Sequence, residues 1–292
     1  MGMRAFGCKL VLCCAAACLL AVPVLAEGPD DELAFAGTLG FGAGPRWIKA
    51  TDGPNNNTSA AFSGEGHVSL PFTDLFSLQM DVQSEMNSDN EDEAPMGGHM
   101  IGGHLSLRDP DLGLVGFLAG AGVPSGEDID GLEVGYLVGG EWQAYLGDFT
   151  IYSQAGWGNF EVDDDREGFI KGWFISGAGR YFPTDDIMIE AGASYGRTDD
   201  FIDGTDSGKI WNWSAKGKMR VMDKYPVYAT AAYLGGNYDA TTENDWGKDH
   251  TVLVGFSFLF GADSLKHNDR YGATLNQPML PVRAAAWAEG LD

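Results

Sequence analysis

Three basic residues, Lys216, Lys218 and Arg220, stand at every second position of one segment. Side chains two positions apart in an extended strand point to the same face, so these cations would share one surface. Such a ladder can contact an anion, or it can pair with an acid on a neighbouring strand, such as Glu190. The spacing predicts a charged face and leaves both kinds of partner open.

Other charged residues occupy the polar positions of further alternating segments. We predict that they face the same interior and are candidates to line a pore: Glu65, Asp81, Arg108, Glu133, Glu141, Arg180 and Glu190. Acids on one wall and bases on the other would set ion selectivity, whereas pairwise salt bridges would only neutralise buried charge. The residue pattern is compatible with both interpretations.

A few residues have the types that catalysis requires. His104 and Ser106 share a face, as do the His and Ser of one kind of enzymatic barrel, but here that face points inward and no matching Asn is near. The adjacent pair Asp249 and His250 is too common an arrangement to indicate an active site. We therefore predict no enzyme activity and no catalytic residue, and we expect His104 and His67 to make interior hydrogen bonds.

Acidic residues also cluster between the alternating segments, around 89–93, 127–130, 163–165, 199–206 and 243–249. Carboxylate oxygens are ligands for divalent cations, but no segment matches the twelve-residue calcium loop. We interpret the clusters as a solvated acidic rim and predict no metal site and no cofactor.

The overall charge excludes one class of partner. Lys and Arg total 18 of 292 residues against 42 Asp and Glu, a formal net charge of −24. Nucleic-acid binding needs clustered cations to neutralise phosphates, so we predict no nucleic-acid partner.

The N-terminal residues have the pattern of a secretory signal peptide. Arg4 and Lys9 precede an apolar run over 10–22, and small residues over 24–26 provide a cleavage site. We predict that residues 1–26 are removed. All four cysteines lie in this leader, at Cys8, Cys13, Cys14 and Cys18. The exported chain would therefore contain neither disulfides nor thiolate chemistry.

Twelve segments after the leader alternate apolar and polar residues, as Phe76, Leu78, Met80 and Val82 do with the residues between them. This period predicts strands with one apolar and one polar face. The predicted spans are 33–43, 60–72, 74–85, 97–108, 112–123, 131–146, 148–160, 168–182, 186–197, 208–221, 225–238 and 249–260.

Two of these strands depart from the pattern. The fifth has apolar residues on both faces, with Leu114 and Leu118 on one and Phe117 on the other, and its inward face is not determined. In the twelfth, Leu253 and Leu259 interrupt the polar face.

The connections alternate between short turns and long acidic loops. An even number of strands joined in this way is typical of a transmembrane up-and-down β-barrel. A soluble two-sheet sandwich is disfavoured, because aromatic residues lie near the strand ends of the apolar faces and the opposite faces carry charges.

Residues 34–260 therefore resemble the bacterial outer-membrane β-barrel superfamily, and porin-like proteins in particular. The resemblance lies in the leader, the absence of later cysteines, the alternating strands, the loop alternation and a last strand that ends at Phe260. It implies a Gram-negative outer membrane, with lipid and lipopolysaccharide as neighbours. Members commonly end at that terminal aromatic, whereas here residues 261–292 follow. We expect this extension to be a poorly ordered periplasmic tail, and we hypothesise that it folds back to occlude the lower mouth.

Together these features predict an all-β, transmembrane, up-and-down antiparallel β-barrel of about 12 strands over 27–260, with ten or fourteen strands also possible. Its expected function is passive diffusion of small hydrophilic solutes or ions. The alternative is a non-conducting structural, adhesion or receptor barrel that acts through its acidic extracellular loops. The solute, the ion selectivity and the oligomeric state are not determined by the sequence.

Overall fold

The protein, seen here as a computed structural model, is a closed barrel of twelve antiparallel strands. Each strand is hydrogen-bonded to the strands before and after it in the sequence, and β1 pairs with β12 to close the barrel. The structure describes residues 35–50, 57–73, 75–88, 96–125, 134–159, 171–201, 206–240, 246–276 and 278. The predicted leader therefore lies outside the described residues. The strands are β1 (Ala36–Ala50), β2 (Asn57–Pro71), β3 (Phe76–Ser88), β4 (Met96–Asp109), β5 (Gly113–Ser125), β6 (Gly135–Leu146), β7 (Phe149–Asn159), β8 (Lys171–Thr184), β9 (Ile187–Phe201), β10 (Asp206–Arg220), β11 (Val227–Ala240) and β12 (Trp246–Phe260).

The fold class and the count of twelve strands are thus confirmed. Tight turns such as 147–148 and 185–186 join strands at one end of the barrel, here named the short-turn end. The predicted long connections join strands at the opposite end. Their residues 51–56, 89–95, 126–133, 160–170, 202–205 and 241–245 lie outside the described residues. In outer-membrane barrels the short turns face the periplasm.

The period-2 pattern determines which side chains face outward. Along β6, Tyr136, Val138 and Trp142 are exposed, whereas Leu137 and Glu141 between them are buried. Outward aromatic rings contact one another near the strand ends, as Trp173, Tyr195 and Trp211 do towards the long-loop end. In water each large apolar side chain left outside would forgo about 1.5–3 kcal/mol of burial, so this outer surface requires a bilayer.

Among the described residues, no helix is both long and apolar enough to cross a bilayer.

The structure differs from the expected loose tail over residues 261–276, which we name the inner segment. After β12 the chain reverses at Gly261, whose φ of +69° lies in the left-handed region, and its Cα packs against the Phe35 carbonyl. It then forms the short helix α1 (Leu265–Tyr271), capped by Ser264, whose hydroxyl accepts from the His267 N–H at 3.1 Å. Residues 272–276 continue without regular secondary structure, and Ala273, Thr274 and Leu275 are buried inside the barrel.

The inner segment also explains the two irregular strands. Leu114 and Leu118 of β5 are the buried, inward pair, whereas Phe117 is 75% exposed on the outside. Leu114 packs against Leu275 of the inner segment, and Leu259 of β12 packs against Leu265 of α1. The inward apolar residues of β5 and β12 therefore pack against leucines of the inner segment.

Candidate functional site: the barrel interior

Helix α1 lies across the short-turn end and is fastened to two turns. Lys266 Nζ donates to the Asp148 carboxylate at 2.7 Å, and the Lys266 N–H donates to the Asp185 carbonyl at 3.0 Å. Arg270 donates to the Gly147 carbonyl at 2.9 Å and its guanidinium stands 4.1 Å from the centre of the Tyr145 ring. The helix thus occupies the opening that the barrel leaves between these turns.

An acid of α1 enters a buried charge cluster on the barrel wall. Asp269 accepts from Arg180 Nη1 at 2.8 Å and from the Thr150 hydroxyl. Arg180 Nε also donates to Glu190 at 2.7 Å, so one guanidinium on β8 serves two carboxylates. All three side chains are at most 10% exposed, and a buried charge of this kind needs its partner.

The part of the inner segment after α1 is held mainly through its backbone. Gln79 of β3 donates to the Leu275 carbonyl at 2.7 Å and accepts from the Leu275 N–H at 3.0 Å. Arg108 donates to the Gly272 carbonyl at 2.6 Å, and the Tyr152 hydroxyl donates to the Asn276 carbonyl at 3.3 Å. Barrel side chains therefore take the place of a neighbouring strand for this segment.

A chain of hydrogen bonds links β2, β3, β4 and β6 through the interior. Asp81 accepts from His67 at 2.9 Å and from His104 at 2.6 Å. The other ring nitrogen of His104 lies 2.8 Å from Glu141, which also accepts from the Tyr152 hydroxyl at 2.9 Å. Both nitrogens of His104 face carboxylates, so the ring acts as a cationic bridge between two acids. The two histidines make the interior hydrogen bonds that the sequence predicts.

The lysine ladder contacts an acid on the far wall. Lys216 Nζ and Lys218 Nζ of β10 donate to the two oxygens of Glu65 on β2, at 3.4 Å and 3.2 Å. Because β11, β12 and β1 lie between those strands in the sheet, this contact crosses the interior. Arg220 pairs instead with Asp186 at 3.0 Å, close to the short-turn end.

Cavities remain on the long-loop side of the inner segment. One of about 280 Å³ is lined by Glu65, Glu85, Lys216 and Lys218, and a second of about 170 Å³ by Glu190 and other side chains. Asn276, at the end of the inner segment, lines both cavities. The walls carry carboxylates, ammonium groups, amides and hydroxyls, which suit a hydrophilic occupant.

The structure places nine of the ten candidate pore residues with their side chains inside the barrel. They are Glu65, Asp81, Arg108, Glu141, Arg180, Glu190, Lys216, Lys218 and Arg220. The tenth, Glu133, lies outside the described residues, as do most of the acidic clusters in the loops. Within the described residues the salt-bridged interpretation fits better than two opposed charged walls, because the bases contact acids directly.

The candidate catalytic pairs are not assembled as catalytic groups. His104 is engaged by Asp81 and Glu141, and Ser106 shares a hydrogen bond of 2.8 Å with Ser77. Asp249 forms a buried ion pair with Arg46 at 3.0 Å, whereas its neighbour His250 lies outside against Tyr233.

Sequence reasoning missed the groups that bind the inner segment. Gln79 and Tyr152 read as ordinary strand residues, and Leu265 and Leu275 as parts of a tail without periodicity. The signal that could have found them was the set of apolar residues on inward faces, which includes Leu114 and Leu259. Apolar side chains that face the barrel interior are unfavourable in contact with water, so they indicate that an apolar group fills that part of the interior.

No protein-family model matches the chain, and no curated protein matches it in sequence. Among solved structures, an outer-membrane channel from Pseudomonas putida F1 has a TM-score of 0.56 at 14% identity, over 80% of this chain and 99% of that one. The translocator domain of the autotransporter NalP from Neisseria meningitidis has a TM-score of 0.48 at 10% identity, over 86% and 97% of the two chains.

The closed twelve-stranded barrel and its apolar outer surface define the class: this is a β-barrel of the bacterial outer-membrane type. At 14% identity, the likeness to the Pseudomonas channel concerns the shared fold.

Proposed function

We propose that the protein is an outer-membrane channel for passive diffusion of small hydrophilic solutes or ions, entered from the long-loop end. The observation that carries this proposal is the cavity of about 280 Å³ between the charged groups of Glu65, Glu85, Lys216 and Lys218. A barrel that only anchored loops would gain nothing from a charge-lined space at this depth. The Pseudomonas putida F1 protein that shares this fold is an outer-membrane channel, which agrees with the proposal.

In this proposal the nine interior charges are the pore-lining residues, and Lys216 and Lys218 with Glu65 form the narrow part of the path. A permeating anion would replace the Glu65 carboxylate as the partner of the Lys216 and Lys218 ammonium groups. A permeating cation would replace the two ammonium groups as the partner of that carboxylate. The outer apolar surface contacts membrane lipid and lipopolysaccharide.

Single-channel conductance of the refolded chain 27–292 in a planar bilayer tests this function. The decisive variant is Lys216→Glu with Lys218→Glu, which reverses two charges beside the cavity. The matched control is Lys209→Glu, on the same strand but exposed on the outside. We expect discrete steps whose ion preference moves towards cations in the double variant and stays unchanged in the control.

One observation favours a second candidate, a non-conducting structural, adhesion or receptor barrel. The inner segment fills the short-turn end and is buried there at Ala273, Thr274 and Leu275. Folded barrels that show no steps, either in the full chain or in variants that release the inner segment, would overturn the channel and leave this second candidate.

A further inference from the structure

We infer that the lower interior is a binding site for a non-helical peptide segment, that the chain's own residues 272–276 occupy it, and that this occupancy closes the channel at its short-turn end. The inference rests on the proposed channel function and adds its regulation. The contacts define the class of ligand that the site takes. It is a peptide whose backbone is hydrogen-bonded, with a leucine-sized side chain at one position and a carboxylate in a helix that precedes it.

The backbone contacts are those of a peptide-recognition site. Gln79 contacts both the N–H and the carbonyl of Leu275, which is the pairing that a neighbouring strand would supply. Arg108 and Tyr152 contact the carbonyls of Gly272 and Asn276. Barrel side chains on β3, β4 and β7 therefore satisfy three backbone carbonyls within five residues.

The side-chain contacts give the site its specificity. Leu275, 1% exposed, packs against Leu114 and Tyr152. The Thr274 hydroxyl accepts from Arg180 and donates to Asp269 at 2.8 Å, which links the residues after the helix to α1. A peptide that lacked the leucine or the carboxylate would lose one of these two contacts.

The buried pair of Asp269 with Arg180 is the strong contact of the inner segment, and the remaining contacts of α1 are weaker. α1 has seven residues, fewer than a helix needs for stability by itself, so its order depends on docking. Lys266 fastens it to Asp148 and Asp185, which are 61% and 73% exposed, and exposed ion pairs contribute little. Among the described residues, Arg108 has no carboxylate within ion-pair distance, and its Nε and Nη2 have no hydrogen-bond partner. The inner segment is therefore an incomplete match for the site.

The test uses the full chain with variants that weaken occupancy. Asp269→Lys places a cation against Arg180, and Gln79→Ala removes both contacts to the Leu275 backbone. The matched controls are Asp263→Lys, an exposed position on the inner segment, and Met80→Ala, the next residue of β3 after Gln79, whose side chain is exposed on the outside of the barrel. We expect the two release variants to conduct several-fold more than the parent chain and the two controls to conduct like it.

A synthetic peptide of residues 261–278 provides the reciprocal experiment. Added to the short-turn side of Asp269→Lys channels, it should restore the small parental conductance, because its own Asp269 can pair with Arg180. A peptide of the same composition in scrambled order is the control. Conductance unaffected by the wild-type peptide would overturn the peptide site.

Thiol labelling reports on release independently of conductance. The chain after residue 26 contains no cysteine, so Ala273→Cys, at a position 5% exposed, gives a single buried thiol. We expect a membrane-impermeant maleimide to label it in the release variants and not in the parent. If the thiol is labelled in a release variant whose conductance steps equal those of the parent, closure by the inner segment is overturned and the channel function stands. If the thiol is labelled but no variant shows conductance steps, both closure and the channel function are overturned.

Discussion

Gln79 and Leu275, separated by 196 residues, hold each other through two hydrogen bonds inside the barrel. The Gln79 amide nitrogen also donates to Asp81 at 2.7 Å, so the same side chain links the inner segment to the histidine–carboxylate network. Docking of the inner segment is therefore coupled to the hydrogen-bond network of Asp81 and the two histidines.

The first prediction concerns the reversal that brings the inner segment into the barrel. Gly261→Ala would place a Cβ at a left-handed φ of +69° and against the Phe35 carbonyl. A left-handed residue with a side chain costs about 1–2 kcal/mol, and the clash adds to this. We expect Ala273→Cys in this background to become reactive towards maleimide. The control is Gly217→Ala, where no atom lies within 4 Å of the added Cβ, and there the thiol should stay protected.

The second prediction concerns the guanidinium shared by Glu190 and Asp269. Arg180→Ala leaves two buried carboxylates without their cation, a change that typically costs about 3–5 kcal/mol. We expect a lower urea midpoint for the barrel refolded in vesicles, together with release of α1. Arg197→Ala, at an exposed position on β9, is the control and should unfold like the parent. Equal midpoints for the two variants would contradict the assigned role of Arg180.

The third prediction concerns the cationic bridge at His104. His104→Gln keeps a side chain that can donate to one acid, so either Asp81 Oδ2 or Glu141 Oε1 loses the hydrogen bond that His104 provides. An acceptor left unsatisfied in the interior costs about 1–3 kcal/mol, and more when it is charged. Thermal unfolding followed by circular dichroism should show a lower midpoint. His250→Gln on the outer surface should leave it within error of the parent, and a similar loss in both variants would count against the bridge.

The fourth prediction concerns the outer surface. Phe117 on β5 is 75% exposed and lies near the middle of its strand. Phe117→Arg would place a charge on the lipid face, which costs about 2–4 kcal/mol near the bilayer midplane. Guanidinium unfolding in vesicles should report that loss. Asp111→Arg, in an exposed turn, should not show it, and an unaltered Phe117→Arg barrel would argue against a lipid-facing β5.

Much of the architecture was predictable because the two-residue alternation of apolar and polar side chains marks both the strands and their faces. Alternation along β6 placed Glu141 inside and Trp142 outside, and the structure places both residues as predicted. The strand ends were less predictable: β1 extends to Ala50 rather than ending near residue 43, because its residues continue to pair with β2 and β12. The interior position of the charged residues followed from the same alternation, but their partners did not.

The pairing of Lys216 and Lys218 illustrates the difference. The register neighbour of Lys216 on β9 is Glu190, yet that acid is held by Arg180 and both lysines reach Glu65 instead. A register describes adjacent strands, whereas a long side chain in a closed barrel can also reach the opposite wall. Only closure of β1 on β12 sets that distance.

The sequence by itself predicted about twelve strands, the inward and outward faces of all but the fifth, and the charged character of the interior, because strand periodicity is a local property. Only the tertiary structure decided that residues 261–276 enter the barrel. Their binding depends on Gln79, Arg108 and Arg180, which lie on three different strands and converge only when the sheet closes. Leu275 and Leu114 carry no periodic relationship to each other, so the apolar contact between them exists only in three dimensions.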